Sequence, residues 1–327
     1  MSDPDTLPVL VADIGGTHAR FALAQPGQSR PDDPTILMTA LYPSLEDALA
    51  AFLEQAGGPQ IGGVAVCAAG PVEGSGDDAQ ITMTNCPWTV SARTLSDATG
   101  VTAPRLVNDF TAVALSVPHL AETETVQIGG GPADPDATIG VLGPGTGLGV
   151  SGLVPSSDGT YTALSGEGGH VSLAPGNERE ISVLFQLMQT YGHVSAERVL
   201  CGPGMETLFA ALGAINGSSE TGNPTAPDIA RMAQDGSSPL AAETIEVFTG
   251  LLGSVAGDLA LTLGAKGGIY LAGGILPRWG DLLDTRLLRH RFEAKGRFKA
   301  YLAPIPIHLV TARDVALVGL TVLARRP

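Results

Sequence analysis

The chain is 327 residues long, 44% hydrophobic and 16% charged, which supplies ample core, excludes a disordered chain and makes two domains the default, since one core rarely grows beyond ~250–300 residues. Its 18 Lys and Arg against 33 Asp and Glu give a net charge of −15 with no long basic run, so nucleic acid and anionic membranes are not expected partners. Cys67, Cys86 and Cys201 lack disulfide-framework or zinc-site spacing, the N-terminus is acidic where a leader would be basic, and no apolar run approaches the ~18 residues of a membrane helix; the expectation is a reduced, soluble, cytoplasmic protein.

Strand-like and helix-like segments alternate from the start. LPVLVADI and ARFALAQ are β-rich and flank the Gly15-Gly16-Thr17 stretch, which reads equally as a hairpin turn or as a turn opened for a phosphate. TILMTALYP follows, then the helix SLEDALAAFLEQ, where Ser44 and Asp47 make a capping-box pattern. IGGVAVCAAGPV reads as a buried strand entering a Gly-Pro turn and AQITMTN as an edge strand. SARTLSDATG is a short helix stopped by Gly100, and PRLVNDF is a strand leading into the helix TAVALSV.

The link IGGGPADPDA is expected to separate this half from a second, where ATIGVLGPGTGLGVSGLV again runs strand, glycine turn, strand. The helices NEREISVLFQLMQTYG, SAERVL, METLFAALGAI, TAPDIARMAQ and Pro239 to Leu263 come next, then the strands GIYLAGGI and IPIHLV and a last helix, DVALVGLTVLARR. Two similar α/β halves facing one another would bring both glycine turns to a shared cleft.

Several polar residues sit where chemistry concentrates. Asn108 and Asp109 end a predicted strand, the usual address of ligands in α/β sheets, although Asp109 could equally cap the following helix. GPGTGLG has a G-x-G spacing, but a strand and not a helix follows it, which disfavours a dinucleotide site and leaves a tight hairpin or a backbone cradle for an anion. GEGGH offers Glu167 and His170, readable as a solvated loop or a site. Glu197 in HVSAERVL is readable as favourable charge at a helix start. LAGGI, with Gly273 and Gly274, is either a plain turn or a nucleotide contact.

Together ADIGGTHAR, AAGPV, MTNCPW, LVNDFTAVA, LGPGTGLGV, GEGGHVSLAP, GHVSAERVLCGPG, LAGGILPR and KGRF resemble the bacterial ATP-dependent glucokinase family. The resemblance implies an α/β, two-domain actin-like ATPase (ribonuclease H-like) fold with an active-site cleft between the domains: residues 1–117 with 310–327, and 118–309. It implies that Ala12, Asp13, Ile14, Gly15, Gly16 and Thr17 form a first phosphate loop, that Gly145, Thr146 and Gly147 belong to a second, and that Gly273 and Gly274 lie beside the adenosine. By the same resemblance Asp109 accepts the proton of the glucose 6-hydroxyl. Asn108, Glu167, His170 and Glu197 bind the other hydroxyls, and Asp13 holds Mg²⁺ through water. ATP and Mg²⁺ are the implied cofactors and glucose 6-phosphate and ADP the products. A homodimer is implied too, with no exposed apolar helix face to mark its interface.

The alternatives are a broader hexokinase and a non-catalytic sugar sensor on the same fold. The zinc-binding cysteine cluster of the related repressor and kinase family is missing from the sequence, which places the resemblance in the non-zinc branch. Two departures stand out: His18 occupies a position where Asn is more usual, and Val315-Ala316 stands where Pro-Gly often precedes the last helix.

Overall fold

A computed structural model describes residues 6–83, 86–218 and 222–326; Thr84 and Asn85 of MTNCPW lie outside the described residues. The chain divides into two compact units, one comprising the described residues up to Ala121 together with those from Ala312 onward, the other Glu122–Thr311.

In the first unit β1 (Val9–Ile14) and β2 (His18–Ala24) form an antiparallel hairpin, and β3 (Thr35–Met38) pairs antiparallel with β2. Helix α1 (Leu45–Gln55) begins at Ser44, whose hydroxyl accepts from the Asp47 N–H, the expected cap. It leads to β4 (Gly63–Ala68), buried along its whole length. The strand expected in AQITMTN is β5 (Gln80–Thr82); it joins no edge of the main sheet, pairing instead with β6 (Thr89–Ser91) in a separate two-stranded ribbon. Helix α2 (Ala92–Thr99) ends at Gly100, whose φ of +72° is the left-handed stop expected of glycine. Next come β7 (Arg105–Asn108) and α3 (Asp109–Ser116). The sheet order is β3-β2-β1-β4-β7, with β4 parallel to β1 and β7 parallel to β4.

Alternation along β1 sorts this unit's core into two layers. Leu10, Ala12 and Ile14 pack with Phe21, Leu49 and Phe52, where the Phe21 and Phe52 rings stack at 5.4 Å. Val11, on the other face, packs with Ala65, Cys67, Ala112, Leu317 and Leu320. Each fully buried Val, Leu, Ile or Phe among them contributes about 1.5–3 kcal/mol.

The second unit opens with β8 (Thr125–Gln127), then β9 (Ile139–Pro144), β10 (Leu148–Pro155) and β11 (Tyr161–Leu164). The link IGGGPADPDA, expected to separate the halves, therefore lies inside this unit, because β8 already pairs with its sheet. Helices α4 (Glu178–Met188), α5 (Gly202–Asn216), α6 (Ala226–Gln234) and α7 (Pro239–Leu263) precede β12 (Ile269–Leu271). The single turn α8 (Leu276–Trp279), α9 (Thr285–Glu293) and the single turn α10 (Lys299–Leu302) precede β13 (Ile307–Val310). The order is β11-β10-β9-β12-β13-β8. Its first five positions repeat the first unit: an antiparallel meander followed by two parallel strands.

SAERVL is a turn and not a helix. Ser195 bridges to Ser172, and the Glu197 N–H donates to the Gly169 carbonyl at 2.9 Å, so long-range partners take the backbone groups a helix would use. Helix α7 corrects the expectation about apolar runs: by length and composition it could cross a membrane, yet most of it is buried at the centre of this unit's core.

The last helix, α11 (Val315–Ala324), belongs to the first unit and packs on α3. A Cβ at Gly319 would overlap the Ala112 carbonyl, so only glycine lets the two backbones approach this closely. Val315-Ala316 does not prevent the turn into this helix; Asp314 makes it with a left-handed φ of +51°.

Candidate active site

In the first unit the register aligns Ile14 with Ala68 and Ala68 with Asn108. The carboxyl ends of β1, β4 and β7 are therefore side by side, and the segments leaving them share one sheet edge: Gly15-Gly16-Thr17, the turn at Gly70, and Asp109. The opening stretch is the turn of a hairpin. The Gly15 N–H donates to the His18 carbonyl at 2.9 Å, and a Cβ on Gly15 would lie 3.1 Å from that oxygen. His18 thus serves the turn through its backbone, which any residue there would do. Thr39, with no signal in the sequence, pins the loop: its hydroxyl donates to the Gly16 carbonyl at 2.8 Å and its N–H to that of Thr17 at 3.0 Å.

The capping role open to Asp109 falls to Asn108. The Asn108 side-chain Oδ1 accepts from the Phe110 N–H at 2.8 Å, and its Nδ2 donates to the Gly70 backbone carbonyl at 3.2 Å. Asp109 is the first helical residue of α3, its Oδ1 also 2.8 Å from the Phe110 nitrogen. Asn108 thereby ties β7 to the Gly70 turn and sets the direction in which Asp109 leaves the strand.

Asp13 shares the Val11 face of β1 and stands opposite Cys67 in register. Arg20, across the hairpin, reaches Asp13 at 3.4 Å and Asp314 at 3.3 Å, and the Cys67 thiol donates to Asp13 Oδ1 at 3.6 Å. Burial pushes the Asp13 carboxyl above its usual range, with Arg20 and Cys67 pulling it partly back. The fully buried Cys67 thiol is driven well up, first by burial and then by the charges of Asp13 and Asp109; one thiol therefore senses both carboxylates. The sequence offers no site role for Arg20, Cys67 or Asp314; Arg20 alone carries a signal, within ADIGGTHAR.

A carboxyl raised in the folded state contributes most to stability below its ordinary value and loses that contribution as pH rises through the folded value. Asp13→Asn is accordingly expected to raise the thermal midpoint at pH 7, with the gain shrinking towards pH 4. Paired melts at the two pH values check this; a variant less stable than wild type at pH 7 would refute it.

The second unit has a matching edge. The loop Gly145-Thr146-Gly147 leaves β9, and Ala272-Gly273-Gly274 leaves the parallel β12, where the Ala272 N–H donates to the Leu142 carbonyl at 2.8 Å. Gly273 has a φ of +90°, and a Cβ there would lie 2.5 Å from the Pro144 carbonyl. A Cβ on Gly147 would lie 2.5 Å from Glu197 Oε2. Backbone packing therefore demands glycine at 273, whereas a side chain at 147 would displace the Glu197 carboxylate. Gly145 and Gly274 are different: neither has a positive φ, and an added Cβ would find no atom nearer than 3.9 Å at the first and none within 4 Å at the second. The fold leaves open backbone there.

Glu197, on the SAERVL turn, accepts from the Leu148 N–H at 2.8 Å and so is bound to the glycine loop, not to a helix start. Its other oxygen is 3.7 Å from His170 Nδ1, and Glu167 is 4.0 Å from His170 Nε2. Glu167 precedes the short turn Gly168–His170 and His170 ends it; both are more than half exposed, whereas Glu197 is mostly covered. A cleft of about 150 Å³ beside this cluster is lined by Thr146, Glu197, Arg198 and Cys201. Cys201 caps α5, its sulfur accepting from the Gly204 N–H at 3.2 Å.

The glucokinase family model matches residues 10–327. A glucokinase of Chromobacterium violaceum is 45% identical over 97% of this chain and 89% of its own. One from Paramagnetospirillum magneticum is 47% identical over 98% of each. Among solved structures, a glucokinase from an Antarctic psychrotroph superposes with a TM-score of 0.85 at 35% identity, covering 97% of this chain and 98% of that one.

Proposed function

The chain belongs to the glucokinase family, and on that premise we propose that Asp109 is the proton acceptor as glucose is phosphorylated. The reaction transfers the γ-phosphoryl of ATP, as its Mg²⁺ complex, to glucose, giving glucose 6-phosphate and ADP. The transition state of such a transfer is loose, so the protein supplies positioning, charge stabilisation and one acceptor for the hydroxyl proton. The observation that carries the proposal is the alignment of Ile14, Ala68 and Asn108, which delivers the Asp109 carboxylate and the Gly15-Gly16-Thr17 loop to the same sheet edge.

The glycine loops cradle the nucleotide: Ala12 to Thr17 and Gly145 to Gly147 face its phosphates, and Gly273-Gly274 its adenosine. Gly145 and Gly274 carry this argument furthest, since nothing in the fold itself excludes a side chain there. Gly145→Ala is expected to leave stability within about 0.5 kcal/mol of wild type and to raise the KM for ATP about tenfold, a loss near 1.4 kcal/mol. Denaturation and steady-state kinetics on one preparation check both halves.

Mg²⁺ fits what is present. Among the described residues no three His, Cys, Asp or Glu side chains cluster as a metal cage, which suits an ion that keeps most of its ligands as water and phosphate oxygens. Asp13, a quarter exposed, would hold it through water, and the chemistry supplied there would be neutralisation of phosphate charge.

Asn108, Glu167, His170 and Glu197 hydrogen-bond the remaining sugar hydroxyls. One Glu197 oxygen is held by Leu148 and the other is left to accept from a hydroxyl. A site built this way can reject a sugar lacking one hydroxyl by roughly 10⁴–10⁵. The enzyme works as a cytoplasmic homodimer; its three thiols are free and buried.

The test is kcat/KM for glucose, mannose, fructose and N-acetylglucosamine with Mg-ATP. Glucose is expected to lead clearly. Equal values across the panel would replace the glucose-specific reading with a broad hexokinase.

A further inference from the structure

Helix α4 carries Ile181, Leu184, Phe185 and Met188 at i, i+3, i+4 and i+7, the spacing of a stripe that ordinarily faces a core. Here Leu184 is partly buried against the core, and the other three face solvent. Ile181 is 55% exposed, Phe185 67% and Met188 59%, while the opposite side of the helix, with Glu180, Val183 and Leu187, is buried. This corrects the expectation that no exposed apolar helix face marks an interface.

We propose that this face of α4 is the surface on which a second copy of the chain docks, an inference that rests on the homodimer reading above. Three observations select that occupant. First, α4 and the turn after it hold no charged residue from Ile181 to Gly192, in a chain of net charge −15. Two like-charged copies can approach most closely where charge is thin, and an acidic or basic partner has nothing here to pair with.

Second, the stripe is nearly symmetric about Phe185. An antiparallel pair of α4 helices related by a two-fold axis sets Phe185 against its own equivalent and Ile181 against the other copy's Met188, the self-complementarity that a two-fold dimer requires. Third, the three side chains offer on the order of 350 Å² per copy, about 700 Å² for the pair, an apolar centre of the right size for an interface of ~1,600 Å². The exposed Ser182 and Gln189 beside them supply an uncharged polar rim.

Sedimentation of the full chain at micromolar concentration, with Phe185→Lys, Met188→Lys and Phe185→Cys beside wild type, tests this. The expected results are wild type at twice the 33.3 kDa chain mass, dissociation to monomers in either Lys variant through dimer affinity weakened at least ~100-fold with kcat unchanged, and a disulfide-linked dimer of Phe185→Cys under diamide. The native thiols are buried, so any such link reports position 185. A monomeric wild type would overturn the homodimer reading and this surface with it. Lys variants that remain dimeric would leave the homodimer standing and overturn the surface alone. Dissociation without cross-linking would overturn the two-fold, antiparallel arrangement.

Discussion

Asp109→Asn is expected to lower kcat with glucose by about 10²–10⁴ while leaving the fold and the affinity for glucose close to wild type. The asparagine keeps the side chain's shape and its oxygen, so the 2.8 Å contact with the Phe110 N–H survives. The cap of α3 survives as well, because Asn108 provides it. What the variant lacks is a group that can take up the hydroxyl proton. The loss therefore falls on kcat and not on KM, the pattern of an interaction made only in the transition state. Steady-state kinetics with calorimetric glucose binding separates the two, and a variant that keeps its kcat would remove Asp109 from the acceptor role.

Glu180→Ala is expected to destabilise the second unit by about 3–5 kcal/mol, since it leaves a guanidinium buried without its partner. Glu180 is 2% exposed and takes both Arg291 amines, with Nη2 at 2.8 Å. The Gly176 N–H and the Asn177 amide also donate to it, at 2.7 and 3.0 Å, and Arg291 donates further to Ser254 at 2.8 Å. The pair joins α4 to α9 across α7. Gly250 and Gly253 of α7 face Arg291, and Gly253 and Gly257 admit the backbone of α9. A domain's whole stability is about 5–15 kcal/mol, so the variant should lose a large part of its margin in urea. Replacing both partners by Leu and Met should recover most of the loss, because the cost lies in the unpaired charge. A single variant within 1 kcal/mol of wild type would contradict this.

The parts of the fold legible in the sequence were those where one residue type answers one local need. Glycine pairs marked the hairpin turns, Gly100 marked a helix end, and a polar pair after an apolar strand marked Asn108 and Asp109. The repetition of strand, glycine turn, strand foreshadowed the shared topology of the two sheets. Choices made by distant partners were not legible. SAERVL has ordinary helical residues, yet Ser172 and Gly169 draw its backbone into a turn. Glu180 and Arg291 stand 111 residues apart, and Arg20 meets Asp314 only because the last helix returns to the first sheet. Helix α4 shows the limit most clearly. Its spacing would turn Ile181, Phe185 and Met188 inward, yet the face that is buried is the one with Glu180, Val183 and Leu187.

The most direct test of the account is ADP formation by the wild-type chain from Mg-ATP with and without glucose, the phosphorylated product identified by ³¹P NMR. The predicted result is ADP and glucose 6-phosphate formed one to one, with ATP turnover slower by at least ~100-fold when the sugar is left out. ADP released at the same rate without glucose, or a sugar phosphorylated at another hydroxyl, would contradict it.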